Sequence, residues 1–444
     1  MAEWPIYTVH QLVELGVIER PMDGNHGSIH PKATDFVESG IPFIMASDLK
    51  GGRVDLVNCS FISEERASQL SKGFSKPGDV LLSHKATLGR TAIVQANDFP
   101  FIMLTPQVTY YRIKDRKKLN NRFLKYYFNS RQFLDIFEAW AGGGSTRAYL
   151  GITAQRGLPI PMPPIEVQIS IAELIGPLDD KIELNRRMNE TLEATARAIF
   201  KDWFVDFGPT RAKMDARAPY LAADVWSLFP NRLDEDGKPE GWTTSTIGEE
   251  VDVVGGSTPS TKEAAFWGGD ISWATPKDLS SLSTPVLLST ERQITNAGLS
   301  QISSGLLPVG TVLLSSRAPI GYMAIAQTPV AVNQGFIAMI CKKRLSNVFV
   351  WLWTQANMET VHQNANGSTF QEISKANFRP IEVTVATSDL LRTFDESMRP
   401  LFNRIVSNER ESRILATTRD LLLPKLMSGE VRVSNADRIA GDTT

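Results

Sequence analysis

Cysteine is almost missing: Cys59 and Cys341 are the only two in 444 residues, and they lie far apart with no CxxC spacing. That excludes a disulfide framework and a cysteine-rich zinc site. The five histidines, His10, His26, His30, His84 and His362, form no HExxH. His26 and His30 have i,i+4 spacing, but Gly27 and Pro31 make their segment a solvated turn rather than a metal site. No GxxxxGK loop is present, so ATP hydrolysis by this chain is not expected. No apolar run approaches membrane-spanning length, and MAEWPIYTVHQL has no charged-then-apolar signal pattern. With so little cysteine, a reducing cytoplasm is the expected compartment. Charge of one sign is also lacking: 47 Lys and Arg against 49 Asp and Glu leave a net −2. Any contact with nucleic acid must therefore rest on local patches.

What is present is a repeated heptad stripe. The series Ile171, Ile175, Leu178, Ile182, Asn185, Asn189, Leu192, Ala196, Ile199, Trp203 alternates steps of four and three, which keeps one helix face toward a partner. A second series reads Phe394, Met398, Leu401, Ile405, Asn408, Ser412, Leu415, Arg419, Leu422, Leu426, each residue 223 positions after its counterpart. Pro177 returns as Pro400, and the polar interruption Asn185 returns as Asn408. A long helix with an apolar seam cannot bury itself, and two in one chain supply each other's partner. The buried asparagines lower stability but discourage register slips. The spacer stripe is assigned to Leu178, Ile182, Asn185 and Leu192 with Leu401, Ile405, Asn408 and Leu415.

The repeat extends beyond the helices. After the apolar run 80–82 comes Ser83-His84-Lys85-Ala86-Thr87-Leu88-Gly89; after 312–314 comes Ser315-Ser316-Arg317-Ala318-Pro319-Ile320-Gly321. Turn signals precede both runs, Pro77-Gly78 and Pro308-Val309-Gly310. Gly144-Ser145-Thr146 matches Gly367-Ser368-Thr369, and Ser47-Asp48-Leu49 matches Lys277-Asp278-Leu279. Trp4 and Trp242 open the two halves.

The expected fold class is α+β: two mixed α/β globular domains separated by two long helices that pair as an antiparallel coiled coil, with an internal pseudo-two-fold repeat. The parse is a first domain at 1–163, a long helix at 164–207, a connector at 208–241, a second domain at 242–385, a second long helix at 386–430 and a tail at 431–444. Gly176-Pro177 is expected to bend or break the first helix. Short β-rich runs at 91–94, 108–113, 323–326 and 336–340 alternate with amphipathic stretches at 122–140 and 347–363. Asp206-Phe207-Gly208 imitates a kinase magnesium motif without its companions and reads as a helix end, with Phe207 as packing. If the helices pair antiparallel, a pseudo-dyad passes near their midpoints and the globular domains sit at opposite ends.

The pattern resembles the specificity (S) subunit of type I restriction-modification enzymes over almost the whole chain. Its carriers are residues 164–209, above all Ala198-Ile199-Phe200-Lys201-Asp202-Trp203-Phe204-Val205-Asp206-Phe207, then Pro239-Glu240-Gly241-Trp242. The terminal Arg419-Asp420-Leu421-Leu422-Leu423-Pro424-Lys425-Leu426-Met427-Ser428-Gly429-Glu430 is equally specific. The resemblance implies a non-catalytic subunit whose two target recognition domains each read one part of a split double-stranded DNA target. It further implies a coiled coil that spaces the domains and docks two modification (methyltransferase) subunits, joined by restriction subunits with translocase and nuclease activity. S-adenosylmethionine, ATP and Mg2+ then belong to those partners, and no cofactor, metal site or membrane contact is expected in this chain.

DNA contact is expected at Lys85 and Arg317, in equivalent turns, with Arg90 and Arg147 in the first half and Lys277 in the second. Gln107 and Gln334 follow similar strands and either pair with adenine or serve as structural amides. Gly142-Gly143-Gly144-Ser145-Thr146-Arg147 is either a phosphate cradle or a flexible loop, and Ser368-Thr369 repeats part of it. Arg116-Lys117-Lys118 reads as a solvated loop. Trp203 lies on the seam and Phe204 beside it, which offers Phe204 to a docking partner. Two other readings compete: a self-contained methyltransferase or nuclease, and a coiled-coil scaffold that binds no DNA. Against the first, the Asn/Asp-Pro-Pro-aromatic loop that grips a target base is missing, since Met162-Pro163-Pro164-Ile165 lacks both its leading residue and its aromatic.

The helix pair is expected to act as a ruler. Pro177 to Phe204 is about 40 Å of helix at ~1.5 Å per residue, comparable with the ~34–36 Å of one duplex turn. One heptad inserted after Glu190 and one after Arg413 keep the stripe and should lengthen the unread DNA spacer by about 3 base pairs. Mapping methylated bases tests this: an unchanged spacer in the doubly inserted protein assigns the ruler to the connector instead.

Overall fold

The computed structural model describes residues 4–85, 87–142, 148–367 and 371–431. Contacts divide the chain into two units, one made of Met1–Glu183 with Arg413–Thr444, the other of Leu184–Ser412.

In the first unit a Thr8–Gln11 capping box opens the helix Val9–Glu14. The main sheet has six strands in the order Met22–Asp23, Val108–Tyr111, Val80–Lys85, Thr87–Ile93, Arg53–Val54, Leu49–Lys50. Val80–Lys85 sits inside it and is buried on both faces: Val80 and Leu82 join one apolar cluster, Leu81 another. That is why this strand reads as a continuous apolar run rather than an alternating one. A second, five-stranded sheet contains the parallel pair Ile41–Ile44 and Ile102–Leu104. The expected amphipathic stretch is two helices, Asn121–Asn129 and Arg131–Trp140. Ser130 adopts an extended conformation between them, and its Oγ accepts from the Phe133 amide at 3.3 Å.

The second unit repeats this plan. Its five-stranded sheet runs Asp252–Val254, Phe336–Ile340, Val312–Ser315, Met323–Ala326, Val286–Leu287. Val312 and Leu314 again face one cluster and Leu313 the other. A three-stranded sheet carries the parallel pair Trp267–Ala274 and Val330–Val332. The covering helices are Asn347–Ala356 and Met358–Gln363, broken at Asn357.

The two long helices are Ile165–Phe204 and Ser388–Met427, 40 residues each. Within each unit their segments run antiparallel. In the first unit Ile171 and Ile175 share a core with Leu422 and Leu426, and Asp179 pairs with Arg419 at 2.9 Å. In the second, Trp203 and Phe200 pack on Phe394. Asn185, fully buried, donates through Nδ2 to the Asn408 carbonyl (3.3 Å), Glu411 Oε2 (2.8 Å) and Ser412 Oγ (3.2 Å). Asn408 Nδ2 donates to Asn189 Oδ1 at 2.8 Å. The repeated asparagines thus bond across the seam, which fixes its register.

Two expectations change. Of the bend or break expected at Gly176-Pro177, the break is absent: Pro177 lies inside a continuous helix. Proline removes one backbone donor there, but Ile171 and Ile175 are buried on the preceding turns and tie the segment to the core. Phe204 is not a free docking residue. It is 7% exposed, with ring centroids 4.9 Å from Phe394, 5.0 Å from Phe349 and 5.7 Å from Trp242. A third element, the helix carrying Phe349, covers the face that a two-helix pair alone would leave wet. Trp203, 5% exposed, is buried as well, with Phe229 of the connector against it. Phe207 packs edge-on against Trp242, the packing role read from the sequence.

Phe204→Ala should therefore destabilise the second unit by about 3–5 kcal/mol, the usual result of emptying a buried aromatic site. Urea denaturation of the isolated chain measures it; a loss under about 1 kcal/mol would contradict the packing described.

Candidate nucleic-acid interface

Both units build the same strand-end. Ser83 Oγ accepts from the Arg90 amide at 2.9 Å, and Ser315 Oγ accepts from the Tyr322 amide at 2.9 Å. The hydroxyl thereby closes the turn that follows the central strand. The next residue carries the same backbone connections in each half. The His84 carbonyl accepts from Leu150 N, and the Ser316 carbonyl from Ile373 N, both at 3.0 Å. Lys85 then bridges to Tyr149, and Arg317 to Glu372. Lys85 and Arg317 are equivalent in three dimensions as well as in sequence.

Their side chains have different surroundings. The Lys85 ammonium lies 5.8 Å from the centre of the Tyr149 ring. Arg317 Nη1 lies 3.6 Å from Glu372 Oε2, an acid that any phosphate or guanine would have to displace. Arg90 is exposed and reaches the Ala46 carbonyl at 3.3 Å, beside the turn that holds Asp48. That turn is also repeated: Asp48 Oδ2 accepts from Met45 N, and Asp278 Oδ2 from Thr275 N, each at 2.7 Å. Lys277 stands on the second copy and forms an exposed ion pair with Glu291 at 2.8 Å, a kind worth little in water.

The glutamines are out of register with each other. The Gln107 carbonyl accepts from His84 N at 2.9 Å, whereas Ser316 N finds Gly335 at 2.8 Å, one residue beyond Gln334. Gln334 is exposed and accepts from Thr258 Oγ1 at 2.7 Å. The 333–335 turn gathers the second unit's set, because Gly335 meets Pro276, next to Lys277, as well as Ser316, next to Arg317. In the first unit Lys85, Arg90 and Gln107 all attach to the strand Val80–Lys85. Ser145, Thr146, Arg147, Ser368 and Thr369 lie outside the described residues.

Two aromatic–cation contacts are not apparent from sequence. Tyr149, 44% exposed, flanks both Lys85 and the His84 ring. Its only sequence signal is its place 223 positions before Glu372. Arg292 lies 3.5 Å over the Trp267 ring, through a cross-strand register with Trp273 that no local pattern announces. Among the described residues no group of three or more His, Cys, Asp or Glu could hold a metal ion, and no helix is long and apolar enough to cross a membrane.

Behind Lys85, the fully buried His84 donates from Nδ1 to the Leu150 carbonyl at 3.1 Å, while Nε2 has no partner among the described residues. Burial lowers its pKa from 6.5 to about 4. The unfolded chain therefore binds the proton more readily than the folded one. This stability is complete above pH 6.5 and drains as pH falls toward 4, by about 3 kcal/mol for the site. His84→Leu should flatten that slope in urea denaturation between pH 7 and 4.5, with the Leu150 carbonyl still held by Gln155 Nε2 at 2.8 Å. An undiminished slope would place the titrating group elsewhere.

A family model described as the type I restriction modification DNA specificity domain matches residues 6–194 and again 239–387. The type I restriction enzyme HindI specificity subunit of Haemophilus influenzae is 26% identical over 319 residues, 62% of this chain and 69% of that protein. The MjaIX specificity subunit of Methanocaldococcus jannaschii is 40% identical over 160 residues, 36% and 37% of the two chains. A crystal structure of a type I restriction-modification S subunit from M. genitalium shares the fold, with TM-score 0.56 and 15% identity over 96% of each chain. With the domain present twice and most of its length matched, the chain belongs to the type I restriction-modification DNA specificity family.

Proposed function

We propose that this chain reads a bipartite double-stranded DNA target, one part with each unit, and brings modification and restriction subunits to it. The observation that carries this reading is the duplicated strand-end: two copies of a DNA specificity domain present a cation at the same backbone position, Lys85 and Arg317. In the first unit Lys85, Arg90 and Gln107 face the duplex, with Tyr149 beside Lys85. In the second Arg317, Gln334 and Lys277 do so. Cations neutralise phosphates, and arginine or glutamine can grip a purine edge through two hydrogen bonds. The net charge of −2 fits binding through two such patches rather than through a generally basic surface.

Chemistry is assigned to the partners. Two modification subunits are expected, matching the internal repeat, with S-adenosylmethionine bound there and ATP and Mg2+ used by the restriction subunits. This chain supplies position and specificity, in the compartment where those partners and the chromosome meet, the cytoplasm.

Lys85→Ala and Arg317→Ala, each assembled with the modification subunits, provide the test. Each should weaken or relax one half of the methylated motif by roughly 10–100-fold and leave the other half intact. Loss of both halves from either substitution would defeat the assignment of one unit to one half-site. Equal weakening on every sequence, with a shallower salt dependence, would make the residue a phosphate contact rather than a reader.

A further inference from the structure

The second unit contains an open cavity of about 360 Å³ whose lining includes Glu193, Leu282, Tyr322, Met323, Gln355 and Met358. Two of its polar groups are under-satisfied. Glu193 projects from the first long helix with its side chain 13% exposed, and among the described residues its ion-pair partner is Arg197 at 3.3 Å, itself 46% exposed. Gln355 Oε1 is buried and accepts no hydrogen bond among the described residues. Burial raises the Glu193 pKa to about 7 against the opposing pull of Arg197.

The first unit treats a buried helix carboxylate differently. Asp179, 15% exposed, is held by Lys125 Nζ at 2.7 Å and Arg419 Nη1 at 2.9 Å. Burial would raise its pKa, but those two cations keep it below the ordinary carboxylate value. A carboxylate taken out of water is unfavourable unless paired and hydrogen-bonded. Asp179 receives both cations from its own chain; Glu193 has one exposed arginine and faces a hollow.

We propose that this hollow receives a cationic side chain, an arginine, from a protein partner, whose guanidinium donates to both Glu193 and Gln355 Oε1. The chemistry of the walls fits that occupant. Met323, Met358 and Leu282 cover an aliphatic stem, and Tyr322 offers a ring to the cation. Guanidinium carries five donors in a planar fork, enough to reach a carboxylate and an amide oxygen together. The cavity reaches from the long helix to Gly321 and Tyr322 of the Arg317 turn, but the carboxylate it presents repels phosphate and attracts a cation, so a protein side chain suits it better than DNA. This rests on the reading of the chain as a subunit that assembles with modification subunits.

Glu193→Gln and Gln355→Leu in the full chain test the pocket, with assembly followed by sedimentation or calorimetry against the modification subunit. Each should weaken assembly by roughly 10–100-fold, the range for losing a hydrogen bond to a charged group. The melting temperature of the isolated Glu193→Gln chain should not fall, because a neutral amide is easier to bury than a carboxylate. Unchanged assembly for both variants overturns the proposal. A lowered melting temperature of the isolated Glu193→Gln chain with unchanged assembly also overturns it, by making Glu193 an internal structural group. The wild-type chain is the control for the functional reading: if it assembles with no modification subunit, that reading fails irrespective of the pocket. If DNA competes for the pocket in place of the partner, the occupant assigned here is wrong.

Discussion

A 40-residue helix with an apolar stripe has to be covered along its length, and this chain covers two of them with each other. Each unit's core depends on that pairing. The first unit's main cluster includes Ile171, Ile175, Leu422 and Leu426; the second's includes Phe200, Trp203, Phe394 and Met398. Each long helix therefore contributes side chains to the core of each unit. Removing either helix would expose the sheet-covering helices, Asn121–Asn129 in one unit and Asn347–Ala356 in the other, along their inner faces. The asparagines refine the pairing. A seam of leucine and isoleucine alone tolerates a one-heptad slip, whereas Asn185 and Asn408 find their partners in one register only.

How much of this is legible in the sequence follows from which contacts are local. The stripe is legible because helical periodicity is a short-range signal and the 223-residue repeat doubles it. The strand-end is legible for the same reason: Ser83 closes its turn on Arg90 and Ser315 on Tyr322, each only seven residues away. Sheet order is not legible, since pairs such as Ile41–Ile44 with Ile102–Leu104 join segments about sixty residues apart. Phe204 shows the same limit in one residue. Its cover comes from Trp242, Phe349 and Phe394, none of them near in sequence, so helical spacing alone assigns it to the wrong side of the boundary between core and surface. Of the bend or break expected at Pro177, the break does not occur, because core contacts of the preceding turns outweigh one missing donor.

The two halves keep their backbone and change their side chains where recognition is assigned. The hairpin residues repeat at an interval of 232, but the segments that bridge to them repeat at 223, so the second half has nine fewer residues between them. The bridges are the same despite that difference in length: Lys85 meets Tyr149, and Arg317 meets Glu372. A framework that holds its hydrogen bonds through such a change confines variation to the loops and to the groups at the strand-end. Lysine beside tyrosine in one half and arginine beside glutamate in the other are different chemical surfaces on one scaffold.

That difference explains why duplication within a single chain is useful. A homodimer of one such domain would place identical side chains at both strand-ends and could only recognise two equal half-sites related by its two-fold axis. Covalent duplication frees the two ends to diverge while the helix pair, which must match itself, stays constrained. The pattern of sequence reflects that division. Between the halves the two helices have the same length of 40 residues and keep the seam in one register, with Pro177 and Pro400, Leu178 and Leu401, Ile182 and Ile405, Asn185 and Asn408, and Leu192 and Leu415 identical. The turns agree only in the atoms that hold the backbone: the serine hydroxyls, the Asp48 and Asp278 carboxylates, and the carbonyls of His84 and Ser316. On the proposed assignment of recognition to the strand-ends, a shared helix seam with two chemically different strand-ends is the combination that asymmetric recognition requires.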